Sequence, residues 1–335
     1  MIGDKHMSNI KIGILGYGNL GRGVELAISQ NPDLELTAIF TRRDPSAIQP
    51  LTSNIEVYNI KEVLNFKDRI DVMILCGGSS TDLISQSPAF ASHFNIVDSF
   101  DTHARIAEHF GSVNNSALET SHSALISAGW DPGLFSINRL FSEAILTTGI
   151  SYTFWGKGVS QGHSDALRRI EGVSNAIQYT VPIEAAVAEV RRGTHPTYTA
   201  REMHTRECFV SLKPDADEQK VYSEIVNMPN YFSDYNTIVH FVSDDELAQH
   251  HTAMPHGGFV QRSGKTGANE ENNHIYEFSL KLDSNPEFTA NVLVCYARAV
   301  YRLASEGIYG AKTVLEIPPC YLSAQPIEAL RAELL

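Results

Sequence analysis

Cysteine is scarce in this chain: Cys76, Cys208, Cys295 and Cys320 are the only four among 335 residues, far apart and without CxxC spacing. That excludes a disulfide framework and leaves them as reduced core thiols. Long apolar runs are missing too. None reaches the roughly 18 residues that a bilayer span requires, and the N-terminus lacks a signal peptide's apolar core. Basic charge is in deficit, with 26 Lys+Arg against 39 Asp+Glu for a net −13. A nucleic-acid or anionic-membrane surface would need a basic face, so a small molecule is the expected partner; the missing span and signal core are what read the chain as cytoplasmic. There is no internal repeat, low-complexity tract or Pro/Gly-rich linker. What remains is ordinary globular composition, 43% hydrophobic and 19% charged. At roughly 150 residues per domain the length fits about two domains. Residues Met1 to His6 precede a second methionine, Met7, and read as a leader or an added remnant.

The run NIKIGIL (Asn9 to Leu15) is apolar and β-branched, as a strand buried on both faces should be, and it passes directly into GYGNLG. A helix from about Leu20 to Gln30 and a strand from Leu34 to Phe40 complete a βαβ unit. Further short strands are legible at Val72 to Cys76, Phe94 to Phe100 and Ser123 to Trp130. Such alternation predicts an α/β fold with a Rossmann-type doubly wound parallel sheet. Beyond Asp131-Pro132-Gly133 the texture changes to period-2 strands with one polar face. YEFSLKL is the clearest, and SYTFWGKG, NAIQYTVPI, HTRECFVSL and NTIVHFVS follow the same pattern. We expect there a second α+β domain with a mixed sheet of about five strands. A last helix, about Pro286 to Glu306, leads into KTVLEI and should return to the first domain. The expected boundaries are residues 7–130 with a return over 288–335 for the nucleotide domain, and 131–287 for a substrate-binding and dimerisation domain. Two chain crossings would make a hinge.

Gly16-Tyr17-Gly18-Asn19-Leu20-Gly21 carries the first chemistry. In such a string the first glycine permits a tight turn, the second lets backbone N–H groups approach a pyrophosphate, and the third allows helix to pack on strand. The surrounding strand, helix and second strand make it a dinucleotide site rather than a chance glycine turn. Twenty residues on, where an NAD enzyme carries an acid, stand Thr41, Arg42 and Arg43. A hydroxyl and two guanidinium groups suit a 2′-phosphate, so NADP is the expected cofactor. Gly77, Gly78, Ser79, Ser80 and Thr81 follow the Val72–Cys76 strand and could line the same cofactor; read alone, they are equally a helix-capping loop.

Several longer strings are more particular. GYGNLGRGVE, FTRRDP, DSFDTH, GWDPGLFSINR, TFWGKGVSQGHSDALRRIEGV, AIQYTVP, MPHGGF and KLDSNPEFT resemble, in order, the meso-diaminopimelate dehydrogenases. A small departure is Ala253, where glycine would be expected. The resemblance implies a cytosolic homodimer that uses NADP⁺ to deaminate oxidatively the D-centre of meso-2,6-diaminopimelate. The products would be L-2-amino-6-oxopimelate, which cyclises to tetrahydrodipicolinate, with ammonia and NADPH. The reverse direction would serve lysine and peptidoglycan-precursor synthesis. It implies further that Arg206, Thr180, His256 and Asn285 hold the L-centre, and that Asp101 and Asp131 bind the ammonium of the reacting D-centre. Trp130 and Trp155 would be apolar walls; Gln161, Gly162 and His163 would be polar contacts on a mobile loop. Asp101, Asp131 and His163 are the candidate bases. Cys76, Pro132, Gly133 and Phe135 join the glycine motif and Thr41 to Arg43 as cofactor contacts.

Two other readings compete. A non-catalytic NADP-sensing protein would have no need to carry Arg206, Thr180, Asp101 and Asp131 together. An aspartate-semialdehyde dehydrogenase would need a reactive cysteine at a helix start, whereas Cys208 sits inside an apolar strand. His250, His251 and His256 lack an HExxH arrangement and are not read as a metal site.

Overall fold

The computed structural model describes residues 9–335; Met1 to His6 and the proposed domain start at residue 7 lie outside them. The chain divides into two compact units, residues 1–137 with 286–335, and residues 138–285.

The first unit is built on β1 (Ile10–Leu15), β2 (Leu34–Thr41), β3 (Val57–Asn59), β4 (Val72–Leu75), β5 (Asn95–Asp98) and β6 (Ser123–Leu125). A C-terminal strand, Gly310–Lys312, pairs parallel with β6 and completes seven strands. All pairings in this sheet are parallel. From β1 the chain adds strands outward on one side, then returns to β4 and adds them on the other. The reversal lies between β1 and β4, where open α/β sheets bind ligands beyond their carboxyl ends. Ile12, Ile14, Val72 and Ile74 are fully buried, as a strand covered on both faces requires. Helix α1 (Asn19–Ser29) and the long helix Asn285–Ser305 supply residues to one core. Helices α2 (Ile84–Ala91) and α3 (Ile106–Glu119) supply residues to the other. Arg298, 2% exposed, holds the returning tail: it donates to Asp33, Asn31 and the Leu322 carbonyl.

Helix α4 (Leu134–Ile145) leads into the second unit, which holds β7 (Gly149–Trp155), β8 (Gly158–Val159), β9 (Val173–Pro182), β10 (His204–Leu212), β11 (Asn236–Phe241), β12 (His256–Thr266) and β13 (Asn272–Leu282). They form two sheets rather than one of about five strands: a mixed one in the order β11-β10-β9-β8 and an antiparallel one in the order β13-β12-β7. Sequence reasoning missed β3 in the first unit and β12 in this one; in β12 the cause is visible. Gly257-Gly258 is a pair that local sequence would assign to a turn, yet both glycines lie inside β12, the central strand, at φ +139° and +149°. A Cβ there would come within 2.0 Å of the Leu280 oxygen or 2.1 Å of the Phe154 oxygen, so neighbouring backbone on each side demands glycine.

Candidate functional site

In the first unit a groove of about 240 Å³ opens at the carboxyl ends of β1, β2 and β4. Gly16, Tyr17, Gly18, Thr41, Arg42, Arg43, Cys76, Gly77 and Gly78 line it, so half of the expected cofactor residues come together there. Gly16 turns at φ +97°, and a Cβ on Gly21 would lie 2.2 Å from the Gly16 oxygen. Both are close approaches that only glycine permits. A Cβ on Gly18 would meet nothing within 4 Å, which leaves room for a ligand against the start of α1. Asn19 and Leu20 open that helix, whose first turn carries no acid to oppose an anion. These observations fit a dinucleotide.

The lining also includes residues that the sequence reading missed, among them Asp82 and Gln86. Asp82 takes the Arg42 guanidinium in two contacts, at 2.6 Å and 3.0 Å, and accepts the Gly78 N–H at 3.0 Å. Arg43 donates to the Tyr17 carbonyl. The Arg42 side chain is 65% exposed, so its pair with Asp82 is weak and exchangeable. Ser79, Ser80 and Thr81 form a wide helical turn, with the Asp82 and Leu83 N–H groups both donating to the Gly78 carbonyl. Ser79 Oγ accepts the Asp101 N–H at 2.9 Å, which ties the loop after β5 to the loop after β4.

Asp131 follows an extended stretch, because β6 ends at Leu125 rather than at Trp130. Trp130 and Gly133 form a short bridge around a cis Asp131-Pro132 bond. Gly133 needs φ +137°, and a Cβ there would collide with the Gly129 oxygen. Phe135 is fully buried and meets the Trp130 ring edge-on at 5.1 Å.

The second unit builds a polar cluster around Arg206. Antiparallel register sets Arg206 opposite Thr180 and Thr180 opposite Gly158, so the three share one row across β10, β9 and β8. Arg206 is 8% exposed, donates to Thr180 Oγ1 and lies 3.9 Å from the Tyr235 ring centroid. Among the described residues no carboxylate pairs with it, its Nε has no partner, and burial lowers its pKa. A buried guanidinium without a counter-ion is costly, and an anionic ligand would offset that cost. Next to Gly158 is the His256 ring, whose Nδ1 accepts the Gly257 N–H at 2.8 Å. Trp155 stacks on His204, and its N–H donates to His204 Nε2 at 2.8 Å.

Gln161 to Asp165 do not form a loop. They open helix α5 (Gln161–Arg168), with Gly162 facing open space and Gln161 Nε2 3.1 Å from Met254 Sδ. His163 bonds Ser160 Oγ through Nδ1 at 2.7 Å and packs against Tyr231 and Phe232. Burial, then the Arg206 charge, pushes its pKa down to about 4, and the same causes act on His204. Asn285 starts the long C-terminal helix, its N–H donating to the Met254 carbonyl at 2.9 Å. Gln178, on the Thr180 face of β9, is fully buried with both amide atoms unpartnered, and it too escaped notice in the sequence. Cys208 is fully buried, and burial pushes its thiol up to about 12. That removes the nucleophile an aspartate-semialdehyde dehydrogenase needs.

Comparison with known proteins agrees with this chemistry. A family model described as the diaminopimelic acid dehydrogenase C-terminal domain matches residues 129–284. The meso-diaminopimelate D-dehydrogenase of Acetivibrio thermocellus is 57% identical over 334 residues, covering 100% of both chains. A six-substitution mutant of the Clostridium tetani meso-diaminopimelate dehydrogenase, solved with DAP, shares 51% identity at a TM-score of 0.93, covering 98% of this chain and all of that one. An engineered D-amino acid dehydrogenase bound to NADP⁺ shares 41% identity at a TM-score of 0.86, with the same coverage. With a full-length relative at that identity and a fold so closely shared, the chain belongs to the meso-diaminopimelate D-dehydrogenase family.

Proposed function

We infer that this chain is a meso-diaminopimelate D-dehydrogenase. It oxidatively deaminates the D-centre of meso-2,6-diaminopimelate with NADP⁺ and water, giving L-2-amino-6-oxopimelate, ammonium, NADPH and a proton, and runs reversibly in lysine and peptidoglycan-precursor supply. The observation that carries the reading is the buried Arg206 guanidinium, bonded to Thr180 and without a carboxylate, which asks for an anionic group such as the substrate's distal carboxylate. His256 and Asn285 complete the hold on the L-centre. Asp101 and Asp131 bind the reacting ammonium. Trp155 supplies an apolar wall, and Gln161 and Gly162 line the way in from the start of α5.

When bound, NADP⁺ would supply the acceptor for the hydride that leaves the D-centre Cα. Gly16 to Leu20 would receive its pyrophosphate, Thr41, Arg42 and Arg43 its 2′-phosphate, and Cys76 to Thr81, with Asp131, Pro132, Gly133 and Phe135, its remaining length. The chain's residues fix the Cα hydrogen and remove protons, first from the ammonium and then from the attacking water. Among the three candidate bases, Asp101, Asp131 and His163, the histidine ring is neutral throughout the physiological range, and its Nδ1 is engaged by Ser160. The first unit is the nucleotide domain, and the second binds substrate and forms the dimer. The protein is a cytoplasmic homodimer; among the described residues no helix is long and apolar enough to cross a membrane. The test is the rise of NADPH absorbance with meso-diaminopimelate and NADP⁺. No rise with this substrate, beside turnover of a simple D-amino acid, would overturn the reading.

A further inference from the structure

One buried carboxylate that the reaction does not use ties two strand-end loops of the parallel sheet together. Asp98, the last residue of β5, is fully buried. Its Oδ1 accepts the N–H of Phe100 at 3.0 Å and of Ser127 at 2.9 Å. Its Oδ2 accepts the Ser87 hydroxyl at 2.6 Å and lies 2.8 Å from His109 Nε2. The His109 ring stacks on Phe100 with centroids 4.0 Å apart. The Asp98 carbonyl also accepts the Ala128 N–H at 2.9 Å.

Burying a carboxylate is expensive, and an apolar side chain would fill a strand end at no such cost. What the charge adds is a two-pronged clamp on backbone. One prong holds Phe100, the residue before Asp101; the other holds Ser127, four residues before Asp131. Ser87 on α2 and His109 on α3 fix the carboxylate from the helix side, so its direction is set by two helices rather than by the loops it restrains. The next loop joins the chain, because the Asp101 N–H donates to Ser79 Oγ.

We propose that Asp98 is a positioning residue that sets the ammonium-binding carboxylates of Asp101 and Asp131 at their working separation. The inference rests on the reading of those two acids given above. Steady-state kinetics in the reductive direction test it, with NADPH, the 2-amino-6-oxo substrate and varied ammonium. Asp98→Asn keeps the volume but cannot accept from all four donors. The KM for ammonium should rise at least about tenfold, as expected when a reacting group is displaced by a fraction of an ångström, while the KM for NADPH stays within about twofold. Ser87→Ala leaves both backbone bonds and should raise the ammonium KM by about two- to fivefold, and it carries the test alone if Asp98→Asn does not fold. A lowered melting temperature with an unchanged ammonium KM in either variant would make Asp98 a purely structural residue and overturn the proposal. Asp101→Asn and Asp131→Asn are measured beside them. If those raise the ammonium KM and Asp98→Asn does not, only this inference fails; if they do not, the assignment of the two acids fails with it.

Discussion

Replacing Arg206 by methionine should affect stability and substrate use in opposite ways. In an ordinary buried ion pair, truncating the arginine strands a carboxylate and costs about 3–5 kcal/mol. Arg206 has no such partner: the change removes a desolvated charge and gives up the Thr180 bond and the contact with Tyr235. A desolvated cation–π contact is worth about 2 kcal/mol and a hydrogen bond to a charged group about 1.5–3 kcal/mol, sums that the relieved desolvation largely offsets. The folded enzyme should therefore lose less than about 1 kcal/mol. Arg298→Met, which abandons Asp33, Asn31 and the Leu322 carbonyl, should lose about 3 kcal/mol or more.

Kinetics should separate the two variants the other way. Losing a charge-assisted bond to the distal carboxylate is worth about 1.5–3 kcal/mol, or roughly tenfold to a hundredfold in kcat/KM for meso-diaminopimelate. The KM for NADP⁺ should hardly move, because the glycine motif and Arg42 and Arg43 lie on the other unit. Simple D-amino acids have no distal carboxylate, so they should gain relatively once an unpaired guanidinium no longer opposes them. Urea denaturation and steady-state rates on meso-diaminopimelate and D-leucine measure all of this. An Arg206→Met enzyme that is destabilised by more than about 3 kcal/mol yet keeps its preference for meso-diaminopimelate would refute the assignment and make Arg206 a structural residue.

Arg42→Ala combined with Arg43→Ala should raise the KM for NADP⁺ by about tenfold to a hundredfold and leave that for NAD⁺ nearly unchanged; equal use of both cofactors by the unmodified enzyme would sink the assignment. Buried His204 has its pKa lowered from about 6.5 to about 4, so the unfolded chain takes up its proton first, and stability is full above pH 6.5 and drains away as pH falls towards 4. The loss approaches about 3 kcal/mol, and a His204→Gln variant should show a shallower acid slope in denaturant titrations. Cys208→Ala should keep turnover within about twofold, since a thiol held up at about 12 is no nucleophile; a loss of several orders of magnitude would reinstate acyl-enzyme chemistry.

Local pattern carried much of the architecture. The apolar run of β1, interrupted only by the exposed Lys11, announced a strand buried on both faces, and Gly16 to Gly21 announced the turn and the close helix packing that the structure shows. Local pattern failed where a residue's meaning comes from its neighbours in space. Gly257 and Gly258 read as a turn because nothing nearby in sequence reveals that β7 and β13 press on both sides of them. Gln161 to Asp165 read as a loop because Gly162 drew attention away from Ser164 and Leu167, which point inward, and from the Asp165–Arg168 pair one turn apart.

The candidate site divides along the same line. In HTRECFV, period 2 places His204, Arg206, Cys208 and Val210 on one face, and all four are buried. An arginine on the same face as Cys208 and Val210 is a readable sign of an inward guanidinium, although its lack of a carboxylate is not readable. Asp82 and Asp98 had no such sign. Asp82 meets Arg42 across 40 residues, and Asp98 meets Ser87, His109 and Ser127 across 11, 11 and 29. In DSFDTH the eye falls on two similar acids three residues apart. Only the fold separates them, by burying Asp98 against two helices while Asp101 stays exposed at the sheet's carboxyl edge, where it can meet a ligand. The residues proposed to touch substrate lie in short motifs, whereas those proposed to hold them in place show only in the topology, because their partners are brought together by the crossovers of the sheet.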